Sequence, residues 1–195
     1  MGNTVGKYGL DVLVSLGKLV GTLYLALIIF VVFVLGPVMY LAKVPIKKFL
    51  AAVKEPFILA FSTTSSEAAL PKALQAMESI GVPRPIVSFV LPLGYTFNLD
   101  GTTLYLSLAA IFVAQAAGVH MPIEKQVLML ITLMLTSKGV AAVPRASLVI
   151  LAGTLATFDL PLAGIALILG VDTLMDMART SVNVFGNCLA SVVLA

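Results

Sequence analysis

The chain has 195 residues, of which 60% are apolar and only 11% are charged. About a quarter of the residues of a soluble domain are charged, so this composition excludes an ordinary soluble protein and favours an integral membrane protein. The net charge of +3 does not indicate nucleic-acid binding, because the basic residues do not cluster with interleaved aromatic residues. The single cysteine, Cys188, cannot form an internal disulfide bond.

The first apolar segment is long enough to cross a membrane. Between Lys18 and Lys43 there is no Asp, Glu, Lys or Arg, and about 20 apolar residues suffice to span a bilayer. Residues 1–44 are therefore predicted to hold one spanning helix. The lysines that follow it are Lys43, Lys47, Lys48 and Lys54. Under the positive-inside rule they place this side of the protein in the cytoplasm.

Two later segments have the pattern of re-entrant hairpins, in which two short apolar arms meet at a polar tip. The first lies in residues 45–82, where an uncharged arm ends in the run STTSSE at 62–67. The second lies in residues 121–158, where two apolar arms flank KGVAAVPR at 138–145. Non-helical backbone at membrane depth needs protein or a watery cavity around it, so both tips are expected at an internal site. Short helices of a soluble core are the alternative interpretation.

A long apolar stretch in residues 83–120 is interrupted by PLGYTFNLDGTT at 92–103. Proline, two glycines, an asparagine and an aspartate in a dozen residues disfavour a continuous helix, and freed carbonyl groups can coordinate a cation. This pattern predicts a broken helix with Asn98 and Asp100 at a functional site. The alternative is that Asp100 only caps a second helix that begins at Gly101.

Residues 159–195 are predicted to form a final amphipathic helix that Asp159 caps and that has Pro161 in its first turn. Its ionisable and amide side chains fall within an arc of roughly 80° at 100° per residue. They are Asp172, Asp176, Arg179, Asn183 and Asn187. Charges at bilayer depth cost about 2.5–3.5 kcal/mol each, so this face indicates a binding site for a zwitterion with an extra carboxylate. An internal Asp–Arg ion pair that joins helices is the alternative.

These motifs, in this order, resemble the glutamate transporter family of dicarboxylate/amino acid:cation symporters. They are the serine-rich first tip, NLDGT in the broken helix, SKGVAAVP in the second hairpin and DTLMDMARTSVNVFGN on the final helix. The resemblance implies an all-α integral membrane fold, the elevator-type transport domain of a homotrimer in a bacterial inner membrane. It starts at the family's sixth helix, so the scaffold helices have no counterpart in these residues. The chain alone is therefore expected to bind its substrate without transporting it.

The implied function is secondary symport of glutamate or aspartate coupled to Na⁺ and/or H⁺. The resemblance implies a protein surrounded by membrane lipids, with no enzymatic activity, no organic cofactor and no nucleic-acid partner. The alternatives are a C4-dicarboxylate symporter of the same family and a truncated, binding-only or non-functional fragment. The positions that match the family's substrate contacts are Ser65, Ser66, Thr102, Val143, Asp176, Arg179, Thr180 and Asn183. In the family's pattern, Arg179 holds the substrate side-chain carboxylate and Asp176 holds the ammonium group.

The positions that match the family's cation sites are Gly94, Thr96, Asn98, Asp100, Ser137, Asn183 and Asn187. Sodium-coupled members carry an aspartate where this chain has Asn187, which removes an anionic ligand and favours a weaker sodium site. In the first tip, Glu67 supplies a protonatable carboxylate, so it is the candidate for proton coupling. In the second tip, Ala142 and Arg145 also depart from relatives, so the details of gating do not carry over.

An enzyme of another class would also need paired aspartates within the membrane. Asp100 with Asp172 could form the dyad of an intramembrane aspartyl protease, but no GxGD sequence precedes either residue and Arg179 would have no catalytic role. His120 is the only histidine and lies in a predicted external loop, which excludes a Ser-His-Asp triad. The sequence therefore favours a transporter over a protease.

Overall fold

The computed structural model describes residues 11–139 and 146–195, and all regular structure in these ranges is helical. The helices are α1 (Asp11–Phe30), α2 (Gly36–Leu41), α3 (Ile46–Thr63), α4 (Ser66–Ser79), α5 (Arg84–Phe97), α6 (Asp100–Ala116), α7 (Ile123–Thr136), α8 (Ala146–Thr157), α9 (Ala163–Ile168) and α10 (Asp172–Val193). The predicted all-α class is thereby confirmed.

The helix that is predicted to span the membrane is formed by α1 and α2, which are joined without a break by a π-helical segment, Val31–Leu35. The reason for the π turn lies in Pro37, which has no N–H group to donate to the carbonyl four residues earlier. The Gly36 N–H donates to the carbonyl of Val31, five residues earlier, which is the hydrogen-bond pattern of a π turn. Together they make an apolar helix of 30 residues, about 45 Å long, which is more than a bilayer core requires.

Helices α3 and α4 form the first hairpin. Their connection is only Thr64 and Ser65, and Thr64 has a left-handed backbone with φ of 53°. The Ser65 hydroxyl accepts from the Ala68 N–H at 3.2 Å, which caps α4. The first arm of this hairpin, α3, is longer than the uncharged run from Pro56 to the tip that predicts it. Helix α3 begins at Ile46 and includes the lysines that precede this run. How far this hairpin enters a membrane stays a prediction.

The long apolar stretch is indeed interrupted, but the break is much shorter than the motif that predicts it. Only Asn98 and Leu99 lie outside helices, because α5 continues through Pro92 to Phe97. The Asn98 N–H donates to the Gly94 carbonyl at 2.7 Å and closes the last turn of α5. Asp100 is the first residue of α6, and its carboxylate accepts no hydrogen bond from residues 11–139 or 146–195, so capping does not explain it.

The second hairpin is represented by its two arms. Helix α7 ends at Thr136 and continues as one 3₁₀ turn, Ser137–Gly139, and the second arm is α8. The predicted contacts at its tip, around Val143, lie outside the described residues. The partial crossing of the membrane by this hairpin also stays a prediction.

The final segment differs from the predicted single helix. Asp159 has a left-handed backbone with φ of 56° and caps none of the described helices, and the helix after it, α9, begins only at Ala163. Three non-helical residues, 169–171, then separate α9 from α10. Gly170 in this gap is a poor helix former, which explains why α9 and α10 are not one continuous helix. The segment is therefore two helices, of which α10 carries the polar face.

Helix α10 lies at the centre of the protein and joins two apolar cores. Its first half contributes Met175, Ala178 and Val182 to a core shared with α1 and α6 to α8. Its second half contributes Phe185 and Leu189 to a core shared with α3, α4 and α5. Every residue from 178 to 189 is buried. The polar face of α10 therefore lies where the two cores meet, out of contact with bulk solvent.

Candidate functional site

A buried cluster of charges surrounds Arg179, which is 3% exposed. Its Nε donates to Asp176 Oδ1 at 2.9 Å, one turn earlier on α10. Its Nη2 lies 3.9 Å from Asp172 Oδ1, and its guanidinium carbon lies 4.0 Å from the centre of the Tyr105 ring. The Tyr105 hydroxyl donates to the same Asp172 oxygen at 2.8 Å. Two carboxylates and an aromatic face thus hold the guanidinium in one orientation.

One nitrogen of this guanidinium is left over. Nη1 of Arg179 is buried and has no hydrogen-bond partner among the described residues. A buried unpaired donor costs about 1–3 kcal/mol, and more when it is charged, so such groups require an explanation. The internal Asp–Arg ion pair does form, with both aspartates, yet it does not satisfy the whole guanidinium. The remaining N–H groups are suited to an external carboxylate.

Asn183 connects the polar face of α10 to the start of α6. Its Oδ1 accepts from the Gly101 N–H at 2.8 Å, and its Nδ2 donates to the Thr102 hydroxyl at 2.9 Å. The two helices approach closely because Gly101 has no side chain: a Cβ atom there would lie 2.5 Å from the Arg179 carbonyl oxygen. On the same face, the Thr180 hydroxyl donates to Asp176 Oδ1 at 2.8 Å.

A second polar group gathers around the break between α5 and α6. Asn98 Nδ2 donates to Asn187 Oδ1 at 3.1 Å, and Asn187 Nδ2 donates to the Asn98 carbonyl at 3.3 Å. A Cβ atom at Gly94 would overlap the Asn187 carboxamide, and one at Gly186 would lie 3.6 Å from Asp100 Oδ2. Carbonyl, amide and carboxylate oxygens therefore converge where two glycines leave room, which is the donor set that hard cations prefer.

The second hairpin reaches this region through its first arm. The hydroxyls of Ser137 and Thr103 lie 3.1 Å apart, and Ser137 is fully buried. The Lys138 ammonium lies close enough to Asp100 to attract its carboxylate. Ser137 thus meets the beginning of α6.

The first hairpin tip stands apart from these groups in the hydrogen-bond network. Ser65 and Ser66 are half-buried, and no described hydrogen bond joins them to α10. Glu67 is exposed, and its Oε2 accepts from the Ser65 hydroxyl at 2.8 Å. Thr96 is half-buried and its hydroxyl has no partner in the described ranges. The structure therefore brings together the predicted residues of α6, α7 and α10, but it does not link the first tip to them.

Three residues of the site were missed by the sequence analysis: Tyr105, Thr103 and Gly101. Tyr105 supports both Arg179 and Asp172, yet a tyrosine in an apolar helix is typical of a packed core. The available signal was its spacing, because Tyr105 follows Gly101 and Thr102 by four and three residues and so shares their helix face. Gly101 stood inside the quoted NLDGT motif without a role of its own, and Thr103 is the last residue of PLGYTFNLDGTT, one position beyond that motif.

Sequence comparison relates the chain to known transport proteins. The sequence model of the sodium:dicarboxylate symporter family matches residues 1–195. The chain is 53% identical over 195 residues to the proton/sodium-glutamate symport protein of Bacillus subtilis (strain 168), covering all of this chain and 46% of that protein. It is 47% identical over 192 residues to the proton/glutamate-aspartate symporter of Escherichia coli (strain K12), covering 98% of this chain and 44% of that protein.

A third relative carries a different substrate in its name. The chain is 46% identical over 196 aligned residues to the C4-dicarboxylate transport protein of Erwinia tasmaniensis, covering 100% of this chain and 46% of that protein. The chain thus spans about half the length of the curated relatives that it matches. Because the family model covers the chain from end to end, this membrane protein belongs to the sodium:dicarboxylate symporter family, a family of transporters and not of enzymes.

Proposed function

We propose that this chain forms the substrate-binding and cation-binding part of a secondary symporter for acidic amino acids, glutamate or aspartate. The observation that carries the proposal is the unpaired Nη1 of Arg179. A buried guanidinium that Asp176 and Tyr105 already orient presents its free N–H groups to a ligand. A carboxylate is the ligand that a guanidinium binds best, because two parallel hydrogen bonds fit its planar fork.

Asp176 favours an amino acid over a plain dicarboxylate. Its Oδ1 already accepts from Arg179 and Thr180, whereas its Oδ2 has no partner among the described residues. An ammonium group at Oδ2 would place the charges of an acidic amino acid opposite Arg179 and Asp176. The substrate carboxylate and ammonium would then each meet a group of opposite charge.

Coupling to a cation is supported by the charge balance of the site. Asp100, Asp172 and Asp176 bring three carboxylates to one region, against two cations among the described residues there, the buried Arg179 and the half-buried Lys138. An anionic substrate adds to this excess of negative charge. A cation at the oxygen-rich break beside Asn98 would offset it, so the two should bind together. Sodium suits these oxygen ligands, and Glu67 is the candidate carrier of a proton.

The wider setting is also proposed. The relatives named above are bacterial symport and transport proteins, which supports a bacterial inner membrane as the location, with lipid around the exposed apolar surface. The trimeric assembly and elevator movement follow from the family resemblance alone. Na⁺ and H⁺ are transported substrates in this account and not resident cofactors.

Ligand-induced thermal stabilisation of the purified chain tests the proposal. Glutamate and aspartate should raise the unfolding midpoint in the presence of sodium, whereas alanine should not, because it has no second carboxylate for Arg179. Ligand at 100 times its Kd adds about 2.7 kcal/mol to the stability of the folded state. Absence of stabilisation by either acidic amino acid, with or without sodium and at low and neutral pH, would contradict the proposal and favour a non-functional fragment.

A C4-dicarboxylate symporter is the second candidate, because one relative of 46% identity carries that name. Succinate separates the two in the same assay. It has both carboxylates but no ammonium group, so it leaves Asp176 Oδ2 without a partner. Stabilisation by succinate at a lower concentration than by glutamate would assign the site to dicarboxylates.

A further inference from the structure

An apolar groove of about 450 Å³ lies against α10, away from its polar face. Its floor is formed by Ala178, Val182 and Phe185, which are buried and recur at helical spacing. At 100° per residue, the centre of this stripe is turned roughly 130° from the centre of the polar face. The groove is therefore separate from the site around Arg179, although the same helix supports both.

The walls of the groove come from α1 and α3. The α1 wall includes Tyr24 and Ile28, and it ends at the π-helical segment with Val31. The Tyr24 hydroxyl is engaged by donating to the Leu174 carbonyl at 2.9 Å, so it leaves no free donor in the groove. The α3 wall includes Leu50 and Phe61. A lining of this kind suits a hydrocarbon chain.

One position in the groove is charged. Lys54 lines it between the apolar residues of α3, and Lys47 lies seven residues earlier, two turns away on the same helix face. Lys54 forms no salt bridge within the described ranges, whereas its neighbour Glu55 is already paired with Lys72 at 2.8 Å. From Lys54 to Phe61 the groove follows α3 for about 10 Å. Lys54 thus lies one turn from Leu50, where the groove starts on α3, and the α3 residues beyond it are apolar.

We propose that this groove binds an anionic phospholipid, with its phosphate at Lys54 and an acyl chain along the apolar floor. A transmembrane helix from another chain is a poorer fit. It would cover Lys54 with apolar surface, whereas a phosphate provides the opposite charge.

The test uses the 195-residue chain in nanodiscs of equal phosphatidylglycerol and phosphatidylcholine. Native mass spectrometry after detergent extraction counts the lipids of each class that stay bound. We expect phosphatidylglycerol to be retained about fivefold over phosphatidylcholine, the preference that one lysine near an anionic headgroup confers. Lys54→Gln should bring the ratio close to one. Lys48→Gln is the matched control, because Lys48 is exposed and turned roughly 120° from Lys54 around α3.

A second variant tests the place of the acyl chain. Ile28 is 59% exposed, so Ile28→Trp should fill the groove from α1 without disturbing a core and should reduce retention of both lipids. An unchanged unfolding midpoint would show that this variant is folded. Equal retention of both lipids by the parent, equal losses in Lys54→Gln and Lys48→Gln, or full retention by Ile28→Trp would overturn the proposal. A dimer of the parent that Ile28→Trp abolishes would also overturn it, by assigning the groove to a second copy of the chain.

Discussion

Asn98 and Asn187 exchange two hydrogen bonds, at 3.1 Å between Asn98 Nδ2 and Asn187 Oδ1 and at 3.3 Å between Asn187 Nδ2 and the Asn98 carbonyl. This reciprocal pair ties the break between α5 and α6 to the middle of α10. The pair needs both the donor and the acceptor of the Asn187 carboxamide. An aspartate at this position would keep the acceptor and lose the donor.

Asn187→Asp should therefore exchange a structural contact for a cation ligand. The substitution removes the hydrogen bond to the Asn98 carbonyl and adds a carboxylate beside the oxygens of Asn98 and Asp100. We expect sodium to enhance glutamate binding at about tenfold lower concentration than in the parent, because added anionic ligands strengthen hard-cation sites. Isothermal titration with glutamate across a sodium series measures this. An unchanged or weaker sodium response would place the cation elsewhere.

Gly94→Ala should damage the same region by its volume alone. A Cβ atom at Gly94 would overlap the Asn187 carboxamide, with Cγ of that residue only 2.8 Å away. Overpacking of this kind costs about 1–3 kcal/mol and should also abolish the sodium dependence of binding. Gly153→Ala is the control, because Gly153 is an exposed position of α8 with nothing within 4 Å of the added atom. Equal behaviour of the two variants in thermal unfolding and sodium titration would contradict a cation site between Gly94 and Asn187.

The sequence predicted the architecture well where apolar length and polar interruptions decide it. The spanning helix, the break at Asn98, the turn near Ser65 and the polar face of α10 all follow from residue type and spacing. The boundaries were harder, because α5 continues through Pro92 and the last segment is interrupted around Gly170. Tertiary packing overrides local propensity at such positions.

Tyr105→Phe should separate the contribution of the Tyr105 hydroxyl to stability from that of its ring. The ring would still lie under Arg179, but the hydrogen bond of 2.8 Å to buried Asp172 would be lost. We expect a loss of about 0.5–2 kcal/mol in the free energy of unfolding, as for single side-chain hydrogen bonds in membrane proteins. Tyr40→Phe is the matched control, because Tyr40 is 78% exposed on α2. A Tyr105→Phe variant as stable as Tyr40→Phe would show that the hydroxyl contributes nothing.

Glu67→Gln should flatten the pH dependence of glutamate affinity. A carboxylate that takes up a proton during binding makes affinity depend on pH, and glutamine cannot be protonated there. The matched control is Glu78→Gln at the other end of α4, where Glu78 lies 3.6 Å from Arg84. Affinity measured from pH 5 to 8 should keep its slope in this control. A steep profile that survives in Glu67→Gln would reduce Glu67 to the partner of the Ser65 hydroxyl.

Only part of the site could be predicted from the sequence. The arc on α10 placed Asp172, Asp176 and Arg179 on one face, but no spacing rule shows that Arg179 holds both aspartates and still keeps one nitrogen free. That arrangement depends on Tyr105 from another helix, 74 residues earlier in the chain. Contacts between distant segments are set by packing and leave little trace in local periodicity.

The contact between Arg179 and Asp176 also predicts how the site distinguishes glutamate from succinate. Asp176→Asn should weaken glutamate binding but spare succinate, because only the ammonium group loses its partner. A uniform loss for both ligands would show that Asp176 acts by orienting Arg179 through its 2.9 Å hydrogen bond. The same titrations on both ligands distinguish the two outcomes.

The measurement that tests the central claim most directly is a ligand panel on Arg179→Cys, with Arg84→Cys as the control because the Arg84 side chain is 85% exposed. Loss of a buried charge pair costs about 2–5 kcal/mol, so glutamate and aspartate should no longer raise the unfolding midpoint of Arg179→Cys. Neutral amino acids such as serine should stabilise this variant, which would also show that it is folded. Glutamate and aspartate affinities in Arg179→Cys equal to those of Arg84→Cys would contradict the account.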